Sequence, residues 1–381
     1  MSIWYTLKRF FYIGTTLLGV SVITFVILRI IPGNPIAMML PPGATQEDIV
    51  MLTAQYGLDK PIPIQYGIWI SKVIKGDFGV SIHMKQNVME LVMERLPATL
   101  ELVFAATIIA LILGIFIGTL SIMKKGTAVD KTGSFLAVIG LSIPDFLWGL
   151  LFILFFGVFW QVFPISGRIA STYTLKSVTG FFLIDSLIRL DFKSFYSSLN
   201  HIILPAFSLA LPLTAIVIRV IKSSLLDVIK EDYILLARVK GLSEKVVIFI
   251  HALRNALIPT TTIVGVQFGF LMGGTVLVEI IYSWPGLGKL AVTAITTRDL
   301  PLIQGVVLVL AFIFVVVNLI VDLLYTVINP KIRYSQNRCG PRKRIIDDIQ
   351  KIVNQCESAL WSCCSHPSFI YCFILSFSCT P

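Results

Sequence analysis

The chain has 381 residues, of which 56% are hydrophobic and only 14% are charged. A soluble domain of this length would need far more polar surface, so the composition indicates an integral membrane protein. The formal net charge of +10 is therefore not a nucleic-acid signal, because Lys and Arg accumulate in the cytoplasmic loops of membrane proteins.

Six apolar stretches are long enough to cross a bilayer, which takes roughly 20 residues. They are predicted near Phe11–Ile31, Ala98–Met123, Gly133–Trp160, Ile202–Ile221, Thr260–Ile281 and Leu302–Ile328. The predicted fold class is an all-α membrane protein with six transmembrane helices. Lys8 and Arg9 precede the first span, which places the N-terminus, and with six spans also the C-terminus, in the cytoplasm. That span is too long for a signal-peptide core and is expected to remain as an anchor.

The spans divide the chain into four predicted parts. Residues 1–31 form the N-terminal segment and first span, and residues 32–97 an external domain punctuated by Pro and Gly. Residues 98–334 form a core with five spans and a cytoplasmic loop at 223–259. Residues 335–381 form an atypical tail that holds every cysteine of the chain. The body is therefore predicted to carry neither a disulfide framework nor a cysteine metal site.

The third span contains the run S-I-P-D-F at 142–146. Pro144 removes a helix hydrogen bond and predicts a kink. Asp145 is an ionisable group at membrane depth, where it costs about 3 kcal/mol at a helix centre if unpaired. Such residues usually face a bundle interior or a water path. Asp145 therefore either lines a translocation path or belongs to the packing around the kink.

Glycines recur every four residues in the fifth span, at Gly265, Gly269 and Gly273. Small residues at this spacing form one stripe along which another helix can approach closely. The stripe is typical of packing within one subunit, of a pore-lining face, or of a seam between subunits. Gly269 and Gly273 are, with Asp145, the candidate residues of a translocation path.

The segment Asp232–Pro259 is the one long stretch of mixed charge between two apolar spans. It is predicted to form a short helix from about Asp232 to Lys240, to stop at Gly241, and to start a second helix at Ser243. Glycine suits the left-handed position after a helix end, and a serine N-cap can accept a free backbone N–H. The apolar side chains expected to be buried in this segment are Tyr233, Leu236, Ala237 and Leu242. A helix–Gly–helix unit at a membrane surface is suited to docking another protein.

Two runs of this segment, A-R-V-K-G-L-S at 237–243 and H-A-L-R-N-A-L-I-P at 251–259, resemble the cytoplasmic coupling loop of ABC-importer permeases. The resemblance is to the dipeptide/oligopeptide/nickel family, and most to its dipeptide-type branch. Leu235 and Leu236 stand where the general motif of this loop has Glu and Ala. Further similar runs lie at 56–66, 75–81, 94–100, 163–168, 282–288, 318–325 and 329–334, so the resemblance covers roughly Trp4 to Tyr334.

The resemblance implies a type I importer permease fold in the bacterial inner membrane. It implies as partners a second homologous permease subunit, two ATP-binding subunits, an external peptide-binding protein and membrane lipid, and no nucleic acid. The implied cargo is dipeptides or short oligopeptides. The implied contact with an ATPase is a coupling helix at about Asp232–Lys240. The residues assigned to coupling are Tyr233, Leu236, Ala237, Lys240 and Gly241.

No enzyme motif is found in the sequence. The phosphate-loop pattern G-x-x-x-x-G-K-[ST] is missing, so energy is expected to come from a partner. The histidines are scattered without zinc-site spacing, and neither a catalytic residue, a metal site nor a cofactor is predicted.

Several alternatives stay open. One is a secondary transporter or channel that works alone, with Asp145, Glu279 and Asp322 as its ion-coupling candidates. Another keeps the family but changes the cargo to nickel or a haem precursor. For residues beyond Tyr334, the interpretations are a frameshifted or read-through end and a genuine tail.

Overall fold

The structure, a computed structural model, describes residues 3–30, 60–173 and 178–328. Within these ranges the chain forms helices and no strand beyond an isolated bridge between Val80 and Asn87. The all-α fold class is thus confirmed. Much of the predicted external domain, including its run at 56–59, and the whole tail at 335–381 lie outside the described residues.

Twelve helices lie within the described ranges and are numbered in chain order. They are α1 (Ile3–Ile30), α2 (Ile62–Ile74), α3 (Val88–Met123), α4 (Ala128–Ser142), α5 (Asp145–Phe152), α6 (Phe182–Ile188), α7 (Phe192–Val228), α8 (Asp232–Val239), α9 (Glu244–Gly274), α10 (Val276–Ile281), α11 (Leu287–Thr296) and α12 (Leu300–Ile328). Two stretches of the described residues are π-helical: Ile153–Phe159, which continues α5, and Val247–Ala252 inside α9.

Five helices of the described part are long and apolar enough to cross a membrane, namely α1, α3, α7, α9 and α12. The count reaches the predicted six when α4 and α5 with its π-helical end are taken as one span. These two segments are bent by 102°, so the predicted single kinked third helix is wrong. Pro144 does not lie inside a helix but at the N-cap of α5, and Ile143 before it is extended (φ −102°, ψ 124°). The residue before a proline is driven out of the helical region, which explains the break.

The predicted span boundaries differ from the helix ends because hydropathy marks only the apolar part of a helix. Helix α3 begins at Val88, where the Asn87 side chain accepts a hydrogen bond from the Met89 N–H. Helix α7 begins at Phe192, and the Asp191 side chain caps its N-terminus in a similar way. Side-chain caps of this kind fix helix starts beyond the apolar region.

The predicted fifth span, Thr260–Ile281, was misplaced at both ends. The helix starts at Glu244 and stops at Gly274, and α10 forms a separate helix up to Ile281. Two consecutive glycines, Gly273 and Gly274, precede the break. Because glycine lowers helix propensity by about 1 kcal/mol relative to alanine, a helix end is favoured there.

Helix α7 lies at the centre of the bundle and packs against α3, α4, α5 and α9. Glycines of α3 allow α7 to approach closely: a Cβ on Gly114 would lie 2.6 Å from Val217, and one on Gly118 would lie 2.9 Å from Ile221. From the first contact to the second, the residue number increases by four on both helices, so α3 and α7 run in the same direction. The predicted alternation of spans requires the same relative direction, while the side of the membrane on which the termini lie stays a prediction.

A buried ion pair ties the loop before α6 to the first half of α3. The Arg168 Nε donates to Glu101 Oε2 at 2.9 Å, and the Leu183 N–H donates to Glu101 Oε1 at 2.8 Å. Both charged side chains are only 6% exposed. Arg168 lies between the predicted third and fourth spans, a segment that the predicted topology places outside, where a positive charge conflicts with the positive-inside rule. Its structural role in this pair accounts for a positive charge in that loop.

Candidate coupling loop and membrane cleft

The turn between α8 and α9 is formed by the glycine that the sequence singled out. Helix α8 runs from Asp232 to Val239 with Lys240 as its C-cap, as predicted. Gly241 follows in the left-handed region (φ +79°), and its N–H donates to the Arg238 carbonyl at 2.9 Å. A Cβ at Gly241 would meet nothing within 4 Å. The turn therefore needs glycine for its backbone conformation and not for space.

Ser243 occupies the predicted N-cap position with extended backbone, but its side chain makes no capping hydrogen bond. The prediction of a hydroxyl cap was therefore wrong. An ion pair crosses the turn instead: Arg238 Nε lies 2.8 Å from Glu244 Oε1. Because both side chains are at least 36% exposed, this pair contributes little to stability. It links the last turn of α8 to the first turn of α9.

Helix α8 buries a different face from the one predicted. Ala237 is buried as expected, but Tyr233 and Leu236 are 40% and 55% exposed, so their predicted burial was wrong. The missed residue is Ile234, which is fully buried and joins Ala237 in the main hydrophobic cluster. Residues three apart share a helix face, and this spacing was the signal that could have identified Ile234.

The buried face of α8 connects the loop to the spans. Ile234 and Ala237 belong to the cluster that contains Leu225 at the end of α7 and Val247 in the π-helical part of α9. A further link is the hydrogen bond that the Asn255 amide donates to the Tyr233 hydroxyl at 2.6 Å. Packed side chains and this hydrogen bond therefore connect α8 to two membrane-spanning helices.

The opposite face of α8 is exposed and mostly apolar, with Asp232 in its first turn. Its large side chains are exposed by 40% to 77%, and they are Tyr233, Leu235, Leu236 and Val239. The predicted residue Leu242, just after the turn, is also 40% exposed and not buried as expected, and Lys240 is exposed as well. Contiguous exposed apolar patches of this kind mark interaction surfaces.

A cleft of about 260 Å³ lies where α4 and α5 meet. Asp145 lines it from the first position of α5, and its Oδ1 accepts a hydrogen bond from the Phe146 N–H at 2.8 Å. The remaining lining residues come from α4, the α4–α5 break, the middle of α7 and the last turns of α9. They are Leu141, Ile143, Pro144, Leu209, Pro212, Leu213, Gln267, Phe270, Leu271 and Gly274.

The glycine stripe of α9 is not part of this cleft. A Cβ on Gly265 would lie 2.3 Å from Val321, and one on Gly269 would lie 3.3 Å from Phe314, so both glycines face α12. Gly273 is exposed, and a Cβ there would meet nothing within 4 Å. Of the three path candidates, only Asp145 lies in the cleft. The first two glycines of the stripe serve packing within this subunit, one of the three interpretations.

Glu279, an ion-coupling candidate, is fully buried in a hydrogen-bonded cage. Its carboxylate accepts from the Thr99 hydroxyl at 2.7 Å and from the Lys289 N–H at 2.9 Å. The second contact places the carboxylate at the N-terminus of α11, where the helix dipole favours a negative charge. The side chain of Asp322 lies outside the described part. Within that part, no group of three or more His, Cys, Asp and Glu side chains could hold a metal ion.

Comparison with known proteins gives two family matches that together cover the chain from residue 3 to residue 334. Residues 3–103 match the N-terminal family of binding-protein-dependent transport system membrane components. Residues 92–334 match the family described as binding-protein-dependent transport system inner membrane component.

Individual relatives are similar over nearly their whole length. The dipeptide transport system permease protein DppB of Escherichia coli K12 is 41% identical over 87% of this chain and 99% of its own. The di/tripeptide transport system permease protein DppB of Pseudomonas aeruginosa is 40% identical over 84% and 96%. The oligopeptide transport system permease protein AppB of Bacillus subtilis is 40% identical over 87% and 99%.

Proposed function

The chain belongs to the family of inner-membrane components of binding-protein-dependent transport systems, and we propose that it carries dipeptides or short oligopeptides across the bacterial cytoplasmic membrane. It is a multi-pass permease of the type I importer fold. In this proposal it is one of two homologous permease subunits, and an external binding protein delivers the peptide. The cargo is proposed because the similar permeases named above are dipeptide, di/tripeptide and oligopeptide transport proteins.

The energy source is a pair of separate ATPase subunits. This chain lacks the G-x-x-x-x-G-K-[ST] loop that cradles nucleotide phosphates, so ATP hydrolysis is assigned to partners. The observation that carries this assignment is the division of α8 into two faces. Ile234 and Ala237 fix one face to the bundle, while Tyr233, Leu236 and their neighbours leave the other exposed and apolar.

Coupling follows from that geometry. Each ATPase takes the exposed face of one coupling helix into a groove, an arrangement in which an amphipathic helix supplies apolar anchors. When the ATPases close, α8 moves, and the packed contacts of Ile234 and Ala237 shift the ends of α7 and α9. Gly241 and Lys240 maintain the turn that sets the angle between α8 and α9. Tilting of the spans then opens the translocation pathway between them alternately to the outside and to the cytoplasm.

The test is uptake by the complete importer reconstituted in lipid vesicles. We expect labelled dipeptide to accumulate only when ATP, both ATPases and the binding protein are present. Vesicles that contain this subunit alone are the control, and accumulation in them would instead establish a secondary transporter. Uptake of radioactive nickel but not of dipeptide would overturn the proposed cargo and keep the ATP-driven mechanism.

A further inference from the structure

The cleft at the α4–α5 bend combines one acidic side chain with mostly apolar walls. Leu209 and Pro212 place it at the middle of α7, within the predicted fourth span. Pro144 and Pro212 contribute rings from two sides, and Gln267 is the polar side chain contributed by α9. A mostly apolar cleft with few polar groups is the usual form of a small-molecule site.

Asp145 is partly buried and differs from Glu101 and Glu279, two buried acidic side chains of the described bundle. Glu101 is paired with Arg168, and Glu279 is held by hydroxyl and backbone donors. No ion pair joins Asp145 to a basic side chain within residues 60–173 and 178–321, and its one hydrogen bond comes from the adjacent Phe146 N–H. A carboxylate at this depth without a cationic partner is typically functional and faces a pathway.

We propose that Asp145 binds the ammonium group at the amino terminus of a peptide in transit, and that the apolar walls receive the side chain of its first residue. This inference rests on the proposed function, because it names the part of the cargo that this subunit contacts. The volume of about 260 Å³ lies below the roughly 300 to 1,000 Å³ of drug-sized sites. The cleft therefore suits one residue of a peptide and not a whole oligopeptide.

The residue chemistry favours an ammonium group over a metal ion. A divalent cation is held by several carboxylate, imidazole or thiolate ligands, and the described residues provide no such cluster. An ammonium group needs one carboxylate and a few further acceptors, and charge-assisted hydrogen bonds of this kind are among the stronger ones. A single ion pair also allows release, because transport requires that binding be reversible on each cycle.

The first experiment removes the charge and keeps the shape. Asp145→Asn retains an oxygen that can accept from the Phe146 N–H, so the start of α5 is preserved. In vesicles that contain the complete importer, we expect dipeptide uptake to fall by about tenfold to a hundredfold, as for the loss of one charge-assisted hydrogen bond. Asp145→Glu should restore most of the uptake. The matched control is Asp77→Asn, because Asp77 is exposed, accepts a hydrogen bond from the Gly79 N–H at 2.9 Å that asparagine can keep, and lies outside both the cleft and the loop at 223–259, so wild-type uptake is expected.

The second experiment locates the peptide directly. A dipeptide with a photoreactive first residue is trapped in the wild-type importer during turnover, and the crosslinked peptides are identified by mass spectrometry. We expect crosslinks at 141–145, 209–213 and 267–274, whereas the same group on the second residue should label other positions. Crosslinks that miss these stretches, or that are equally abundant in an assembled Asp145→Asn importer, would overturn the inference. So would undiminished uptake by that variant, whereas wild-type vesicles that take up no peptide would overturn the proposed function itself.

Discussion

Replacing Gly241 with proline should open the turn between α8 and α9 and thereby uncouple ATP hydrolysis from transport. Gly241 has φ +79°, whereas proline is fixed near −65°. The chain would have to rotate by about 145° at this residue, which changes the direction in which α9 leaves the turn. The variant also loses the N–H that donates to the Arg238 carbonyl at 2.9 Å.

The size of the effect can be estimated by comparison with alanine. A Cβ at Gly241 meets nothing within 4 Å, so Gly241→Ala carries only the backbone strain of the left-handed conformation, about 1 to 2 kcal/mol. Proline cannot adopt that conformation and also loses a hydrogen bond that contributes about 1 kcal/mol. We therefore expect Gly241→Ala to retain part of the uptake and Gly241→Pro to abolish it. Ile234 and Ala237 keep α8 packed on the bundle, so the proline variant should still reach the membrane.

The assay compares dipeptide uptake and ATP hydrolysis in vesicles that contain the complete importer. Gly126 provides a matched control, because it also has φ +79°, faces open space and donates its N–H, here to Asp130 at 3.1 Å. It lies in the α3–α4 turn and not in the α8–α9 turn. Gly126→Pro should therefore keep at least half of the wild-type uptake. Equal uptake by the two proline variants would refute the assigned role of the α8–α9 turn.

Three further predictions concern stability, measured as the melting temperature of the purified complex in detergent. Glu101→Gln leaves Arg168 buried without its partner and should cost about 3 to 5 kcal/mol; an unchanged melting temperature would contradict the structural role of the pair. Burial alone raises the pKa of Asp185, but hydrogen bonds from the Thr179 hydroxyl and three backbone N–H groups outweigh it, so the pKa is lowered overall. Its carboxylate therefore stabilises the fold above the unfolded pKa of about 3.9, and this stabilisation is lost as the pH falls through the lower folded value. Asp185→Asn should accordingly lower the melting temperature at neutral pH and have no effect in strong acid, and an equal effect at both would contradict the assignment. Gly265→Ala would place a methyl group 2.3 Å from a valine of α12 and should cost about 1 to 3 kcal/mol, whereas Gly273→Ala, with open space and a better helix former, should raise stability by up to about 1 kcal/mol; equal losses would refute the packing of this stripe.

The candidate coupling loop shows how far local reasoning reaches. Gly241 could be predicted because a glycine after a polar, helix-prone run has one common use, the left-handed helix end. The burial of Tyr233 and Leu236 was predicted wrongly because apolar residues occur all around α8. Which face meets the bundle depends on the direction in which α7 delivers the chain, and that direction is a property of the packed helices.

The predicted third span shows the same limit of local reasoning over a longer stretch of chain. Pro144 predicted that the helix would be disrupted. A proline is the same local signal for a kinked helix and for a 102° break between two helices. The outcome depends on whether neighbouring helices hold the two segments apart. Helix α7 packs against both α4 and α5, and the cleft at Asp145 is a product of that arrangement.

The sequence by itself determined the membrane class, the approximate positions of the spans, the helix–Gly–helix loop and the resemblance to peptide-importer permeases. These features depend on hydropathy, on backbone preferences of single residues and on short motifs, all of which are local. Only the tertiary structure decided that Arg168 pairs with Glu101, that Ile234 anchors α8, and that Gly269 faces α12 while Asp145 faces a cleft. Each of these contacts joins residues whose separation in space is set by how the helices pack, and the local pattern around either partner does not contain that information.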